Sequence, residues 1–382
     1  MKILFITRGF PSEDDPMDGN YEAVQAKAIA AKGHEVSVIA VKWQNPLHVF
    51  ESHKVRHRLV DRIHVYEANK IKPSIPHLYF PKFEERIKQW QFRKVFKQYV
   101  ADMGMPDVVH AHIIMYAAPA IMLRTEYCLP FVITEHWSRV FETNTLRRVM
   151  NDTFAYHYAD KVICVSDALA DSLKKKCNVD SIVINNMVSD QFFESRKTEH
   201  QDHQVRFIGV GALRRNKRFD ILVEAFALCK FPENVRLDIV GEGEERPLIE
   251  SKIKEYNVGR QVRLLGVKTP EEVNELLCQS DCFVLSSRLE TFAIVVIEAL
   301  AKGLPIIATR CGGPETFVRP EDGLLVEKEN AQELAKALKY MSEHYREYNA
   351  DEIRQHCRDN FSQRVIADKI IDVYRQVLDQ NK

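Results

Sequence analysis

The sequence lacks several features that would place a protein in a broad class at once. None of its segments approaches the ~18 consecutive apolar residues of a membrane-spanning helix, so no such helix is predicted. Its 54 Lys and Arg residues are matched by 54 Asp and Glu residues, which leaves no overall basic field to attract nucleic acid. The opening segment, Met1 to Ile6, is too short an apolar run for a signal peptide and predicts a first strand.

Cysteine usage and ligand spacing also exclude some metal chemistry. The eight cysteines are scattered through apolar strand and helix patterns, which fits a reducing cytoplasm. Cys278 and Cys282 lie close together, but no second Cys or His pair follows to complete a zinc site. His110, His112 and His136 lie at the ends of predicted strands, where a histidine either bonds a sugar hydroxyl or phosphate or is purely structural. No carboxylate or fourth-ligand spacing accompanies them, so we expect no metal triad.

The sequence does contain a regular alternation of short apolar runs with helical patterns. In the first half, seven runs predict strands: Ile3–Ile6, Glu35–Val41, Arg62–Tyr66, Asp107–Ala111, Phe131–Thr134, Lys161–Val165 and Ser181–Ile184. After a polar segment at 194–204, the second half predicts six more: Val205–Val210, Arg236–Val240, Val262–Leu265, Cys282–Leu285, Pro305–Thr309 and Leu324–Val326. Repeated β-α-β units form parallel sheets covered by helices on both faces. We therefore predict an α/β protein with two doubly wound Rossmann-like domains, residues 1–190 and 191–362, facing a central cleft.

Two segments fall outside this alternation. Residues 365–378 have a helical apolar face but no strand after them. Between Lys54 and Lys97, twelve Lys and Arg residues outnumber four Asp and Glu residues. At the end of this segment and just beyond it, five apolar residues follow a helical pattern: Trp90, Phe92, Phe96, Tyr99 and Val100. The pattern predicts a helix packed on the sheet with a solvated basic face, and the alternative is a surface that meets an anionic acceptor or a membrane leaflet.

The segment from Cys282 to Gly303 carries two glutamates in an unusual setting. The strand Cys282–Leu285 is followed by a predicted helix, Thr291–Lys302, that ends at Gly303. Glu290 then lies in the turn and Glu298 about 10 Å further along the helix, at ~1.5 Å per residue. Two such carboxylates suit the hydroxyls at opposite ends of a nucleotide-sugar, whose diphosphate would meet the helix N-terminus between them. Two solvated glutamates flanking an ordinary helix are the alternative, which the spacing alone favours.

A basic loop follows the first strand of the second half. The strand ends at Gly209-Val210-Gly211, which allows close backbone approach, and a cluster with Arg214, Arg215 and Lys217 precedes the next helix. Cations at such a strand end can neutralise a leaving diphosphate, although a solvated basic loop is an equal alternative. The glycine pair is not a dinucleotide fingerprint, because the third glycine at the helix start is missing.

Taken together, these residues resemble the retaining glycosyltransferases of family 4, which have the glycosyltransferase-B fold. The resemblance covers nearly the whole chain, and it implies that a final helix at about 363–382 crosses back onto the first domain. It includes the following segments: Gly33-His34-Glu35-Val36, 108–112, 160–166, 210–217, 290–305, Gly312-Gly313-Pro314-Glu315 and 323–326. The pair of glutamates separated by seven residues is specific in this context, whereas each other piece alone is not.

The resemblance implies a role for each matching residue. Glu298 corresponds to the glutamate that binds ribose, Glu290 to the one that contacts the transferred sugar, and Lys217 to the lysine of the diphosphate. His136 corresponds to the histidine beside the reacting sugar, and Gly19 to the glycine loop near the diphosphate. Backbone groups of four further positions are expected to face the donor: Val267 at the base, and Phe292, Ala293 and Ile294.

The sequence departs from the family pattern at three places. Ala212 stands where the family often has Arg, so Arg214 or Arg215 is the expected substitute, and we count Arg215 among the donor-binding residues. Ala293 stands where glycine is common, which narrows the sugar pocket. The first loop has the lone Gly19 instead of paired glycines. These departures bear on the identity of the donor more than on the activity.

The resemblance thus implies a retaining hexosyltransferase that uses a UDP- or GDP-linked sugar. Its acceptor would be a hydroxyl of a glycan or lipid-linked molecule in cell-surface polysaccharide or glycolipid synthesis. Glu290, His136 and Lys217 are the expected catalytic residues, with no metal and no cofactor besides the donor. We expect a cytoplasmic protein, at the inner face of the membrane if it contacts anionic lipid, without a nucleic-acid partner.

Two alternatives remain open at this point, a nucleotide-sugar epimerase of the same fold and a non-catalytic nucleotide-sugar-binding protein. Incubating the donor without acceptor separates the first from a transferase, because an epimerase interconverts the sugar. Retention of Glu290 with Lys217 argues weakly against the second. An NAD-dependent oxidoreductase is disfavoured because the first strand leads to Thr7-Arg8-Gly9 and not to a glycine-rich fingerprint.

Overall fold

The computed structural model describes residues 1–12, 15, 18–44, 55–71, 81–141, 154–195, 198 and 204–381. The chain divides into two compact units. The first unit comprises Met1–Val165, Ala170–Ile184 and Ile366–Lys382, and the second comprises Ser166–Leu169 and Asn185–Val365. The chain therefore passes into the second unit near residue 185 and returns to the first with its last helix. Within the described part, no helix combines the length and apolarity needed to cross a membrane.

Fourteen strands are described. Those of the first unit are β1 (Lys2–Thr7), β2 (Glu35–Gln44), β3 (Arg56–Val60), β4 (Ile63–Ile71), β5 (Val108–His112), β6 (Phe131–Glu135), β7 (Lys161–Cys164) and β8 (Ile182–Val183). Those of the second unit are β9 (Val205–Val210), β10 (Val235–Val240), β11 (Val262–Leu264), β12 (Cys282–Leu285), β13 (Ile306–Thr309) and β14 (Gly323–Val326).

The described α-helices connect most of these strands. In chain order they are α1 (Asn20–Ala31), α2 (Pro81–Met103), α3 (Ala117–Tyr127), α4 (Phe154–Tyr158), α5 (Asp167–Cys177), α6 (Gln191–Glu194), α7 (Phe219–Cys229), α8 (Arg246–Glu255), α9 (Pro270–Cys278), α10 (Ile294–Ala301), α11 (Ala331–His344), α12 (Ala350–Phe361) and α13 (Gln363–Gln380).

The first unit is built on an eight-stranded sheet in the order β3-β4-β2-β1-β5-β6-β7-β8. Its central strands are parallel, and only β3 pairs antiparallel to its neighbour β4. Residues Ile3 to Ile6 of β1 are fully buried, as expected of a strand covered on both faces. The α13 helix packs its apolar face in this unit, where the buried Tyr374 shares a hydrogen bond of 2.6 Å with His110 of β5.

The second unit has a six-stranded parallel sheet in the order β11-β10-β9-β12-β13-β14. From β9 the chain adds β10 and β11 on one side of the sheet and then crosses to add β12, β13 and β14 on the other side. The strand order therefore reverses between β9 and β12. Helices α7 and α11 contribute much of its core, including Leu222, Phe226, Leu334 and Leu338. In a doubly wound sheet, ligands bind beyond the carboxyl ends of the strands at this switch point.

The predicted fold class, two doubly wound α/β units, is confirmed. All thirteen predicted strands are present with shifts of a few residues at their ends, but β3 was not predicted, because its sequence, Arg56–Val60, reads as part of the basic segment. The predicted helix Thr291–Lys302 begins instead at Ile294, which moves Glu298 closer to its start. Of the predicted helix at 146–158, only residues 154–158 are described. Most of the polar segment 194–204 and residues 54 and 72–80 of the basic segment lie outside the described residues.

Candidate functional site

In the second unit, three strand-end loops are joined by their backbones. Gly211, after β9, donates its N–H to Val240 at 2.9 Å, and Gly241, after β10, donates to Gly266 at 2.9 Å. A Cβ on Gly241 would lie 2.0 Å from the carbonyl oxygen of Gly211, and the φ of Gly241 is 142°. Only glycine fits such a contact, so the carboxyl edge of β9 to β11 forms a tight backbone surface.

Lys217 and Glu290 form an ion pair on this edge. Lys217 ends a short 3₁₀ turn, and its Nζ donates to Glu290 Oε1 at 2.6 Å. Ser287 Oγ donates to the same carboxylate oxygen at 2.6 Å, and Ser286 Oγ donates to the carbonyl of Lys217 at 2.8 Å. The pair is mostly buried, with side-chain exposures of 18% and 12%. The residues that sequence analysis assigned to diphosphate and sugar are thus in direct contact.

The backbone around Glu290 is fixed by the loop after β13. Glu290 donates its N–H to Cys311 at 2.8 Å and accepts from the N–H of Gly313 at 3.0 Å. A Cβ on Gly313 would lie 2.4 Å from the Cα of Phe292, so no larger residue fits there without displacing this turn. The Gly312-Gly313 element therefore positions Glu290, a role that its sequence alone did not specify.

The turn between Glu290 and α10 leaves a helix N-terminus without a side-chain cap. Ala293 precedes the helix in the left-handed region, at φ 72° and ψ 72°, and caps no backbone N–H. By contrast, the side chains of Thr269, Asn330 and Asn349 cap α9, α11 and α12. The N–H of Val296 donates to the carbonyl of Ala293 at 3.0 Å, and no side chain caps this end of α10. The positive end of the helix dipole is therefore left for an anion.

Glu298 carries an unpartnered carboxylate on the same helix. It is half-buried, and within the described part of the chain it makes no hydrogen bond or ion pair. Burial alone raises its pKa from 4.5 to about 7. Glu298 is the fifth helical residue and lies about 6 Å along α10 from Ile294. A half-buried acid without a partner is available to accept hydrogen bonds from ligand hydroxyls.

The remaining donor-side residues differ in exposure. Phe292 and Ala293 are buried at 1% and 7% exposure, so their side chains are not offered to a ligand. Val267 follows Gly266 and is 69% exposed, which leaves its backbone accessible beyond β11. Arg214 and Arg215 are exposed and make no side-chain hydrogen bond or ion pair among the described residues. Both guanidinium groups are therefore available to an added anion.

In the first unit, the loop after β1 depends on Gly19. Gly19 lies in the left-handed region at φ 68°, and a Cβ there would be 2.2 Å from the carbonyl oxygen of Gly9. It precedes α1 without a side-chain cap, so the first-turn N–H groups of this helix are also open. The lone glycine is sufficient for the tight turn.

His136 follows β6 and is held by its neighbour Glu135. The fully buried Glu135 accepts hydrogen bonds from the N–H groups of His136 and Trp137 at 3.0 and 2.8 Å. Its second oxygen accepts from the N–H of Ile114 at 3.0 Å and from the hydroxyl of Tyr156 at 2.6 Å. This network fixes the backbone that carries His136. Sequence analysis missed Glu135, although its position at a strand end beside the histidine was a usable signal.

The two histidines of β5 have different environments. His110 is fully buried between Tyr374 and Thr134, with hydrogen bonds of 2.6 and 2.7 Å that occupy both ring nitrogens. Burial lowers its pKa to about 3, so it is a neutral structural residue. His112 stacks on it with ring centroids 4.4 Å apart. One ligand atom from each of His112, His136 and Glu22 lies within 4.8 Å of the others, so these residues could hold a metal.

Two doubly wound units with these strand-end loops define a protein of the glycosyltransferase-B fold. Comparison with known proteins agrees. The family model "Glycosyltransferase Family 4" matches residues 22–192, and "Glycosyl transferases group 1" matches residues 190–364. The chain therefore belongs to the group 1 glycosyltransferases of family 4.

Individual relatives cover nearly the full chain. One is TuaC of Bacillus subtilis, a glycosyltransferase assigned by name to teichuronic acid biosynthesis, which is 27% identical over 88% of this chain and 88% of its own length. Among solved structures, sucrose-phosphate synthase of Thermosynechococcus elongatus has a TM-score of 0.80 at 23% identity, covering 99% of each chain. HepE of Anabaena, solved in complex with UDP, has a TM-score of 0.75 at 18% identity, covering 98% of this chain and 100% of its own.

Proposed function

We propose that this protein is a retaining glycosyltransferase that moves a hexose-type sugar from a nucleoside diphosphate donor to an acceptor hydroxyl. The observation that carries the proposal is the arrangement on one edge of the second unit: an uncapped α10 N-terminus between the Lys217–Glu290 pair and the unpartnered Glu298. An anion site between two hydroxyl-binding carboxylates matches the chemistry of a nucleotide-sugar.

Each part of this arrangement has a role in donor binding. Glu298 accepts hydrogen bonds from the ribose hydroxyls, and the backbone of Val267 meets the base. The N–H groups of Phe292, Ala293 and Ile294, together with Lys217 and Arg215, meet the diphosphate. Gly19 is proposed to contact the diphosphate because of its place in the family pattern. Glu290 accepts hydrogen bonds from hydroxyls of the transferred sugar.

The state of Glu290 favours binding over covalent catalysis. Lys217 and Ser287 already share one oxygen of its carboxylate, which reduces its nucleophilicity. The proposed reaction is therefore front-face transfer, in which the acceptor oxygen attacks the anomeric carbon from the side that the diphosphate leaves. The bond from the anomeric carbon to the diphosphate breaks, the glycosidic bond forms, and a diphosphate oxygen takes the acceptor proton. Lys217 and the α10 N–H groups stabilise the leaving charge without a metal.

His136 is the proposed catalytic residue of the first unit. Its backbone is fixed by Glu135, so its imidazole can be held for a hydrogen bond to the transferred sugar. This role follows the position of His136 at the end of a strand and the family resemblance.

The donor and acceptor are proposed from the chemistry of relatives. HepE is solved with UDP, which supports a UDP-linked donor, and TuaC is named for teichuronic acid biosynthesis, which supports a glycan acceptor. The acceptor would be a hydroxyl of a glycan or a lipid-linked molecule. The reaction would take place in the cytoplasm, at the inner face of the membrane when the acceptor is lipid-linked.

A binding and turnover panel tests this proposal. UDP, GDP and ADP and their sugar conjugates should be screened by thermal shift, because a ligand of the folded state raises its stability by mass action. The stabilising donor should then be incubated with the protein while nucleoside diphosphate release is measured. Slow release with water as acceptor supports a transferase, interconversion of the intact donor sugar indicates the epimerase, and binding without any turnover indicates the non-catalytic protein.

The variant Lys217→Met tests the chemical step, and Lys336→Met is its matched control. Lys217 should matter more for turnover than for nucleoside binding, since its charge is needed most when the diphosphate leaves. Loss of one such electrostatic donor typically reduces kcat by about 10²–10³-fold. Lys336→Met removes an exposed lysine of α11 and should leave turnover unchanged. Normal turnover of Lys217→Met at saturating donor would contradict the role and direct attention to Arg214 and Arg215.

A further inference from the structure

Three potential metal ligands converge at the carboxyl edge of the first sheet. His112 is the last residue of β5, and His136 follows the adjacent parallel strand β6. Glu22 lies in the first turn of α1, which follows the neighbouring strand β1. One ligand atom from each residue lies within 4.8 Å of the other two, and Glu22 Oε1 is 3.9 Å from His136 Nε2. The sequence offered no carboxylate for these histidines, and the fold supplies Glu22.

His112 has a nitrogen that nothing in the described structure satisfies. Its side chain is 3% exposed, and its Nε2 is buried without a hydrogen-bond partner. A buried polar atom of this kind is uncommon and indicates a bound water, an ion or a functional role. An imidazole with an unsatisfied ring nitrogen can act as a metal ligand.

We propose that Glu22, His112 and His136 form a binding site for a divalent cation of the zinc type. Two imidazoles and one carboxylate are a ligand set that zinc uses in open sites, with the fourth position left for water or another oxygen ligand. Bonds of about 2.0–2.2 Å to one ion place tetrahedral ligand atoms about 3.4 Å apart, so ligand atoms at up to 4.8 Å must approach one another by as much as about 1.4 Å.

The surroundings hold two of these ligands in place. His112 stacks on the His110 ring with centroids 4.4 Å apart and meets the Phe5 ring at a tilt with centroids 4.8 Å apart. His110 is itself fixed by Tyr374 and Thr134. The backbone of His136 is bonded to Glu135. Outer groups that orient ligands in this way support metal affinity. Glu22 is 7% exposed, so an ionised carboxylate there gains from a cation that compensates its burial.

The site has a consequence for catalysis that rests on the proposed function. An ion on His136 occupies the imidazole that would otherwise bond the transferred sugar. Zinc should therefore inhibit sugar transfer, and chelation should restore it. Metal binding itself is measured without donor or acceptor, so its outcome is independent of whether the protein transfers sugar.

Competition between the full-length protein and a chromophoric zinc chelator tests the site. The wild-type protein should bind one equivalent of Zn²⁺, and Glu22→Gln and His112→Gln should each bind at least about tenfold more weakly. His57→Gln is the matched control, because His57 Nε2 lies 2.9 Å from His64 Nδ1 in a histidine pair outside the proposed site. Thermal unfolding without metal establishes that each variant is folded.

Cobalt substitution gives a second readout on the same protein. Co²⁺ held by two histidines and a carboxylate should show visible bands without the near-ultraviolet charge transfer of a thiolate ligand. Zinc affinity that is unchanged in both Glu22→Gln and His112→Gln would overturn the proposal. So would a loss of binding confined to His57→Gln, or a thiolate band from one of the free cysteines. If the ligand variants are unfolded, the cobalt spectrum of the wild-type protein alone decides between nitrogen–oxygen and sulfur ligation.

Discussion

Replacing Glu298 by glutamine should make the ligand-free protein more stable at neutral pH and weaken its binding of nucleoside diphosphate. Both effects have one origin. The carboxylate is half-buried without a partner, which is unfavourable for the free protein but leaves it available to ribose hydroxyls. Glutamine has nearly the same shape and carries no charge to bury. Stability and binding should therefore change in opposite directions.

The size of the stability effect follows from the shifted pKa. Burial raises the pKa of Glu298 from 4.5 to about 7, so the folded state holds the proton more tightly than the unfolded state. Below the unfolded pKa of 4.5, this group contributes almost nothing to the free energy of unfolding. As pH rises from 4.5 to about 7 it lowers the free energy of unfolding, and above pH 7 this loss stays constant. The full effect is about 3 kcal/mol at ~1.36 kcal/mol per pKa unit. Glu298→Gln should therefore be more stable by up to this amount at pH 8, and equal to wild type near pH 4.5.

The assay is thermal unfolding of wild type and variant between pH 5 and 8, with and without UDP. A difference of about 3 kcal/mol corresponds to roughly 6–12 °C in Tm for a unit of this size. Calorimetric titration should show UDP binding about 10–100-fold more weakly to the variant, from the loss of hydrogen bonds to a charged group. Wild-type affinity should rise with pH up to about 7, as the carboxylate ionises. Glu343→Gln, at an exposed position of α11, is the control and should change neither property.

Two results would refute this reasoning. A Glu298→Gln protein that is less stable than wild type by the same amount at every pH would mean that the carboxylate makes favourable contacts in the free state. Unchanged affinity for UDP, together with the expected gain in stability, would mean that Glu298 is a buried charge but does not bind the ribose. In that case the ribose would have to be bound elsewhere on the second unit.

Three further predictions concern the turns and the basic surface. Ala293→Gly should raise the free energy of unfolding in denaturant by about 1 kcal/mol, because Ala293 occupies the left-handed region at φ 72°. A lower free energy of unfolding would show that the backbone at Ala293 is not strained. Gly19→Ala should abolish sugar transfer, because its Cβ would lie 2.2 Å from a carbonyl oxygen, and normal turnover would show that the loop adapts. The protein should pellet with anionic but not neutral vesicles, less so in high salt, because Trp90 is 55% exposed on the basic helix α2. Equal pelleting with both lipids, or none with either, would mean that these charges serve solubility.

The fold class could be predicted from the sequence because buried strands appear in it as short apolar runs. Apolar runs such as Cys282–Leu285 are buried in the sheet, and their order along the chain implied parallel pairing. The strand β3 was missed because it lies at the sheet edge, where Arg56, Arg58 and Leu59 are not enclosed by protein. Arg58 is in fact used structurally, since its guanidinium donates to the carbonyls of Phe10 and Pro11 at 2.9 and 2.6 Å. Part of the basic excess thus supports the fold and is not available to a partner.

The candidate site was predicted residue by residue, but its contacts were not. Nothing in the sequence indicates that Lys217 and Glu290 form an ion pair, because they are 73 positions apart. The late start of α10 depends on the Gly312-Gly313 loop packing on Phe292, which is a tertiary contact. Glu22 was missed for the same reason, since an acidic residue in a first helical turn is ordinary and only the fold brings it to His112 and His136.

The central claim, retention through front-face transfer, is tested most directly by the configuration of a product that cannot mutarotate. The donor identified by the nucleotide panel is incubated with the protein and methanol as a surrogate acceptor, and the methyl glycoside is examined by proton NMR. The account predicts a glycoside with the same anomeric configuration as the donor, formed by wild type and Lys336→Met and strongly reduced in Lys217→Met. A methyl glycoside of the opposite configuration would contradict the account, since it would require attack from the face opposite the leaving diphosphate.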